Sequence, residues 1–377
     1  MNHHLINCFL PPHILTRIIE AGTDQQREKA LQTANISNQI RAHRQAMAGV
    51  RVAAGPMVGQ PGVKQRVVYT ANHSSNLPGA IVRQEGGPPT GDPAADEAYD
   101  GAGTTYDLYW EVYQRNSIDN NGMRLDSSVH YQKGYDNAFW NGQQMVYGDG
   151  DEDLPPEQRL FNRFTIALDV ISHELTHGVT QYTSNLMYLN QPGALNESFS
   201  DVFGIQVKQR HLGQTSATSD WIIGEGLFTA NVKGVGIRSM KAPGTAYDDL
   251  VLGKDPQPAN MKDYVTTIDD NGGVHINSGI PNHAFYLLSM ALGGSSWEKA
   301  GHIWYITLQR VSATASFQEA ADLTYVVAGE LYGNNSLEQQ AVSTAWAGVG
   351  ITVTGLPPAP KPGCLPSIMR RLGIKTG

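Results

Sequence analysis

Residues 171–180 read Ile-Ser-His-Glu-Leu-Thr-His-Gly-Val-Thr. Around them Phe164, Leu168, Ile171, Leu175 and Val179 recur at helical spacing, which predicts an amphipathic helix over Phe161–Tyr182. On that helix His173 and His177 project from one face a turn apart, so both rings can reach a single Zn²⁺ at about 2.0 Å. Glu174 follows the first histidine and leans over the ion, where it suits a base for water better than a third ligand. A catalytic zinc takes three protein ligands and keeps one position open. The third is expected from Asn196-Glu197-Ser198-Phe199-Ser200-Asp201, which follows the turn Gln191-Pro192-Gly193 on a second helix over Ala194–Gln209. Glu197 and Asp201 share one face of it, and Phe199, Val202 and Phe203 are free to pack. Glu197 is then the third ligand. Asp201 is expected to accept the other ring proton of His173 or His177 and fix its tautomer, with Asn196 steadying the ligands beside it.

The rest of the chain sets bounds on this reading. Its 377 residues are 40% hydrophobic and 16% charged, which suits globular domains and excludes a disordered chain or a coiled coil. The net charge, 27 − 35 = −8, offers no general positive field for nucleic acid or an anionic membrane. No apolar run approaches the ~18 residues of a membrane span. Cys8 and Cys364 are too few for a disulfide framework. The opening Met-Asn-His-His meets Pro11-Pro12 after a few apolar residues, unlike a Sec signal peptide.

Beyond the prolines Ile14, Leu15, Ile18 and Ile19 form a helical stripe that stops at Gly22, and Thr23 with Gln26 forms a capping box. The helix that follows, Asp24 to about Met47, is polar nearly all round and reads as an accessory segment. Short β-like runs begin near Ala54, at Gln65–Thr70 and Gly79–Arg83, and lead into a Gly/Pro/Asp-rich stretch, Gly86–Asp96. After Phe161 the pattern is mainly helical, with further segments at Ile280–Leu292, Trp297–Arg310 and Phe317–Tyr332. The Pro-rich tail after Thr354 reads as an appendage. The fold class expected is α+β: a helical N-terminal segment (1–50), a β-rich domain ending in the His-Glu-x-x-His helix (51–185), a mainly helical domain (186–353) and a tail (354–377), with the zinc ligands at the junction of the two large domains.

With these motifs in place the chain resembles the thermolysin-type zinc metallopeptidases from about Thr105 to Gly350. The densest blocks are Asp-Val-Ile-Ser-His-Glu-Leu-Thr-His-Gly-Val-Thr from Asp169, Gly-Ala-Leu-Asn-Glu-Ser-Phe-Ser-Asp from Gly193, and Asp-Asn-Gly-Gly-Val-His-Ile-Asn-Ser-Gly-Ile from Asp270. The step from the first histidine to the glutamate ligand, 197 − 173 = 24, also matches. The resemblance implies that Asn137 and the backbone of Ala138 bind an extended peptide by β-augmentation, with Trp140 as packing. It implies that Tyr188 and His275 donate to the oxyanion, that Asp270 orients His275, and that Arg238 holds a substrate carbonyl. It also places Phe161, Phe164, Val170, Ile223 and Ile237 at the main specificity pocket, implying an apolar residue just after the scissile bond.

The function expected is therefore a neutral metalloendopeptidase acting on internal bonds of protein or peptide substrates. The competing reading is a zinc-containing peptide-binding protein without catalysis; three ligands, no neighbouring thiolate, and the presence of both Glu174 and His275 weigh against it. Asp169, Asp220 and Glu225 match part of the family's calcium cluster, but Lys208 and Ile222 stand where calcium-rich members carry acids, so at most one Ca²⁺ is expected, and Lys208 is a candidate to fill an ion's place. Residues 1–50 resemble the short propeptide of the protealysin subgroup, implying a self-processing precursor inhibited by its own N-terminal segment. The Cys8–His13 stretch is expected to lie over the cleft; Cys8 or His13 as a fourth zinc ligand is weighed against Cys8 as a small buried hydrophobe, which is favoured. A monomer is expected, with no nucleic-acid partner. Secretion is implied by the resemblance, by an unconventional route or after a cytoplasmic stage.

Overall fold

The computed structural model describes residues 8–47 and 59–355, except for the side chains of 38–47. The proposed propeptide boundary near residue 50, Cys364 and the tail beyond 355 lie outside the described residues.

Pro11, extended and without an N–H, starts helix α1 (Pro12–Ala21), and α2 (Asp24–Met47) follows a bend at Gly22. The capping box between them is formed: Thr23 N–H donates to Gln26 Oε1 at 2.8 Å, and Gln26 N–H to Thr23 Oγ1 at 3.4 Å. Ile14, Leu15 and Ile18 bury their stripe in the main core, each stabilising by roughly 1.5–3 kcal/mol.

A five-stranded sheet comes next, built from β1 (Arg66–Thr70), β2 (Ala80–Gln84), β3 (Leu125–Val129), β4 (Ala138–Trp140) and β5 (Met145–Tyr147) in the order β2-β1-β3-β5-β4. β1 and β3 are parallel, as are β3 and β5, while β2 and β4 run antiparallel to their neighbours. β4 is thus an edge of the sheet, three residues long, and its free side faces the cleft.

Between β2 and β3 lies a helix that the sequence reading passed over, α3 (Pro93–Asp107), which runs into one turn of π-helix at Leu108–Val112. Asp92 caps it by accepting from Ala94 N–H, with Pro93 in its first turn. The helix expected over Phe161–Tyr182 begins later, as α4 (Leu168–Gln181). Residues before it are tied down otherwise: Asp151 Oδ2 accepts the N–H groups of Leu160 and Phe161, and Phe161 bridges to Phe228. Apolar spacing alone did not distinguish these aromatics from a helix face.

The second half is helical: α5 (Asn190–His211), α6 (Asp270–Asn277), α7 (Gly279–Leu292), α8 (Lys299–Arg310), α9 (Phe317–Tyr332) and α10 (Leu337–Gly348), the last also unanticipated. Two-residue antiparallel pairs, β6 (Ile222–Ile223) with β7 (Arg238–Ser239) and β8 (Asp248–Asp249) with β9 (Gly253–Lys254), brace the loops between α5 and α6. α4 and α5 pack closely because residue 204 is glycine; a Cβ there would sit 2.8 Å from the Asp169 carbonyl oxygen. That approach brings Glu197 to the two histidines.

Candidate active site and metal centre

α4 presents His173 and His177 from one face and α5 presents Glu197 opposite them, all buried. The two Nε2 atoms are 3.0 Å apart, and each lies 3.4 Å from a Glu197 carboxylate oxygen. These three are the group of metal-binding side chains that converges among the described residues. Their outer nitrogens are engaged: His173 Nδ1 donates to Asp201 Oδ1 at 2.8 Å, and His177 Nδ1 to Asn196 Oδ1 at 2.8 Å with Ser200 Oγ at 3.0 Å. With both rings neutral, as a metal requires, their Nε2 lone pairs point inward at a buried carboxylate whose Oε2 has no hydrogen-bond partner. An acceptor-only triangle of this kind is costly without a cation at its centre, so the donor set fits zinc. Burial pulls His177 down to about 3, keeping it a neutral ligand. His173 is also pulled down by burial, but Asp201 and Glu197 outweigh this and raise it to about 9.

Asp201 has a second duty. Arg238 Nε and Nη2 donate to its two oxygens at 2.8 and 2.9 Å, and Asn282 Nδ2 adds a third bond at 2.8 Å. The buried carboxylate thus ties the metal helix to β7. Glu174 points from α4 toward the strand edge, where Trp140 N–H donates to Oε2 at 2.9 Å and Oε1 is buried without a partner. Burial pushes its carboxyl up to about 8, with His173 acting the other way. Trp140, read from sequence as packing alone, thus also holds the candidate base through its backbone, a role no side-chain pattern signals.

Across the centre, Tyr188 donates to Glu197 Oε1, and its hydroxyl lies 3.1 Å from His275 Nε2. His275 is positioned by the run Asp270-Asn271-Gly272-Gly273, all four left-handed at φ 51 to 84°. Asp and Asn tolerate that region and glycine adopts it freely; at Gly272 a Cβ would lie 2.0 Å from Asn190 Oδ1. The coil turns Asp270 back on the helix it starts, accepting from His275 N–H at 2.8 Å and Nδ1 at 2.6 Å. Burial would lower His275, but Asp270 and Glu197 raise it above its ordinary value.

The N-terminal stretch lies in the cleft. Cys8 bridges antiparallel to Phe139 of β4, Phe9 N–H donates to Ala138 O at 3.1 Å, and Leu10 N–H to Asn137 Oδ1 at 2.8 Å. Neither Cys8 nor His13 joins the metal group, so the favoured reading of Cys8 as a small buried hydrophobe stands over the fourth-ligand alternative. The Cys8 side chain sits in an apolar cluster with Ile36, Tyr131, Tyr135, Phe139 and Val146, and His13 Nε2 hydrogen-bonds Tyr247 at 2.9 Å. The carboxylates behind the calcium expectation meet the lysine that the sequence offered to fill an ion's place. Asp169, Asp220 and Glu225 gather around the Lys208 ammonium, 3.9, 3.1 and 2.7 Å away, with the Ile222 carbonyl at 3.1 Å. A fixed cation already occupies their centre.

Sequence reasoning also missed a second such nest. Lys29 of α2 reaches into the β-rich domain, its Nζ 2.6 Å from Asp153, 3.1 Å from Asp151, 3.5 Å from Asp136 and 2.9 Å from the Gly150 carbonyl. A lone lysine on a polar helix carries no sequence signal of burial.

Comparison with known proteins agrees with this geometry. Residues 24–181 match the family model for the thermolysin metallopeptidase catalytic domain, and residues 184–351 match that for its α-helical domain. An extracellular metalloprotease of Pectobacterium carotovorum subsp. carotovorum is 50% identical over 348 residues, 91% of this chain and 96% of that protein. Protease PrtS of a Photorhabdus species (strain Az29) is 43% identical over 348 residues, 91% and 92% of the two chains. Among solved structures, the precursor of protealysin, a metalloproteinase from Serratia proteamaculans, superposes with a TM-score of 0.83 at 50% identity, covering 92% of this chain and 100% of that one. The chain belongs to the thermolysin metallopeptidase family. It is a zinc-dependent metalloendopeptidase with the mixed α+β fold of that family. No described helix is long and apolar enough to cross a membrane.

Proposed function

We propose that this endopeptidase is made as a self-processing precursor, acts outside the cell as a monomer, and prefers an apolar residue immediately after the scissile bond. His173, His177 and Glu197 would hold the zinc. When bound, the ion supplies a Lewis acid that polarises the scissile carbonyl and acidifies water. Glu174 takes the water proton at Oε1 and delivers it to the leaving amine. Tyr188 and His275 donate to the oxyanion, and Asp270 keeps the His275 ring aimed. Asn137 and Ala138 align the peptide as an added strand.

The observation that carries this reading is the unpartnered, buried Oε1 of Glu174, held by its other oxygen beside three converged ligands. A binding protein needs no such group. The preference is supported by Phe9, fully buried beside the metal ligands: its ring meets His173 edge-on at 5.3 Å, and the Arg238 guanidinium lies 4.7 Å from its centroid. Extracellular action is inferred from the extracellular metalloprotease of Pectobacterium carotovorum to which the chain is similar.

The test compares wild type and Glu174→Gln, each freed of its N-terminal segment, for zinc content and for cleavage of a peptide bearing Leu or Phe after the scissile bond. The variant is expected to keep about one zinc per chain and to lose about 10²–10⁴-fold in rate, while phenanthroline silences the wild type. Zinc in both proteins with cleavage by neither would leave the peptide-binding reading standing.

A further inference from the structure

The contacts of the N-terminal segment define a register as well as a position. The Cys8 carbonyl oxygen accepts from His275 Nε2 at 3.0 Å, beside the Tyr188 hydroxyl. These are the groups assigned to the oxyanion, so the carbonyl they address is the one whose carbon water would attack. One residue on, Phe9 N–H meets Ala138 O, its carbonyl lies 3.5 Å from Arg238 Nη1, and its ring is wholly buried against His173. Gly224 marks the pocket's end: a Cβ there would lie 3.0 Å from Ile237 Cγ1 and 3.4 Å from Phe9 Cζ. Leu10 N–H then takes the Asn137 side chain. The Cys8 carbonyl, the Phe9 N–H and carbonyl and the Leu10 N–H thus each meet a partner that a substrate would use.

We propose that Cys8–Phe9 is a peptide bond this enzyme hydrolyses in its own chain, within the molecule; this rests on the endopeptidase reading above. Water oxygen adds to the Cys8 carbonyl carbon and the C–N bond breaks. Glu174 passes the water protons to the Phe9 nitrogen, leaving a Cys8 carboxylate and a Phe9 ammonium. The new N-terminus stays in the cleft, because Pro11 leads directly into α1, whose Ile14, Leu15 and Ile18 are buried in the core, and because Lys29 is held in its acidic nest. This cut therefore exchanges a bound substrate for a tethered product, and opening the cleft requires a second event further along.

The full chain, prepared metal-free and then given one equivalent of Zn²⁺, is followed by mass spectrometry and N-terminal sequencing. The expected product begins at Phe9, forms at a rate per chain that does not change over a hundredfold range of protein concentration, and is absent in Glu174→Gln. Phe9→Asp is expected to slow that cut at least a hundredfold. The register is read separately by hydrogen exchange on the metal-free chain, where the Phe9 and Leu10 amides should be protected and Asn137→Ala should expose that of Leu10. A zinc-loaded chain that cleaves an added peptide with Phe after the scissile bond while its own Cys8–Phe9 bond stays intact overturns this inference and leaves the endopeptidase reading in place. Cleavage of neither by the full chain, whose segment covers the cleft, overturns this inference alone if the chain freed of that segment cleaves the added peptide, and overturns both if it does not. A rate per chain that rises with concentration, or free exchange at both amides, also overturns it.

Discussion

Lys29→Met should loosen the N-terminal segment's hold on the cleft far more than its position on a polar helix suggests. In the docked state the ammonium is surrounded by three carboxylates and a carbonyl at 2.6–3.5 Å, with its side chain 8% exposed. Methionine keeps the buried stem and removes the charge, leaving Asp136 and Asp151 closed off from water without a counter-ion. Removing one partner of a buried ion pair costs about 3–5 kcal/mol. Asp136, already pushed well above the carboxylate range by burial and by Asp151, can take up a proton and hold the loss to the lower end. At about 3 kcal/mol the docking equilibrium shifts by about 10²-fold. The assay uses the full chain in a Glu174→Gln background and titrates a fluorescent peptide carrying Phe, whose apparent affinity is reduced by the fraction of covered clefts. Lys29→Met should tighten the probe by about 10²-fold. Gln32→Ala, which gives up one exposed bond to the Lys133 carbonyl, should change it little. A change below threefold for Lys29→Met would refute the reasoning, since the nest would then contribute nothing to docking.

Asp201→Ala removes the acceptor of His173 Nδ1 and both Arg238 bonds, and zinc affinity measured against a competing chelator should fall about 10–100-fold; unchanged affinity would refute the orienting role. Lys208→Met should lower stability by about 3–5 kcal/mol in denaturant titration, because Asp169 is left buried and unpaired. Millimolar Ca²⁺ should leave the wild-type thermal midpoint where it is, and a rise of several degrees would contradict a lysine-filled centre. His130, held by Asp149 at Nδ1 and Asp92 at Nε2, is raised from 6.5 to about 9. Its folded pKa exceeds the unfolded one, so its contribution is complete below pH 6.5 and fades as pH rises through 9. The midpoint gap between wild type and His130→Gln should accordingly shrink between pH 6 and pH 10; a constant gap would mean that packing alone accounts for it.

What could be read from the sequence follows where the physics is local. His173 and His177 lie one helical turn apart, so periodicity alone puts them on one face with Glu174 adjoining it, and Asp201 follows Glu197 by one more such step. The partner of His173 was accordingly foreseen, and the structure chooses between the two histidines by giving His177 to Asn196. α3 was missed although its start was written plainly, Asp92 capping and Pro93 in the first turn, because the Gly- and Pro-rich residues before it drew the whole stretch into a loop. Its interior, with Gly101 and Gly103, has weak helix propensity and is held by packing: a Cβ at Gly101 would meet Ile171 of the metal helix at 2.5 Å. Here tertiary contact overrides propensity.

The least legible features are those in which charge is buried by a partner far away in sequence. Lys29 and Lys208 each sit on a helix as lysines usually do, and nothing nearby distinguishes them from solvated ones. Lys208 could be suspected only because acids occupy that position in the resembling family. Lys29 meets residues more than a hundred positions away. Both place a tethered ammonium where carboxylates converge, a point a free divalent ion could otherwise fill. The two differ in what tethers the charge. Lys208 belongs to the same helix as Glu197 and stays as long as the fold does, whereas Lys29 is carried by the segment that covers the cleft. The stability of the Lys208 centre should therefore be the same before and after maturation, and that of the Asp136–Asp151 centre should not. Removal of the N-terminal segment takes away both the ammonium and the cover over Asp136 and Asp151, so the raised Asp136 carboxyl should fall back toward its ordinary value and the stability difference between the two forms should depend on pH. Comparing denaturant midpoints of the full chain and the processed enzyme at pH 5 and pH 7.5 reads this directly, and a difference between the two forms that is equal at both pH values would refute it.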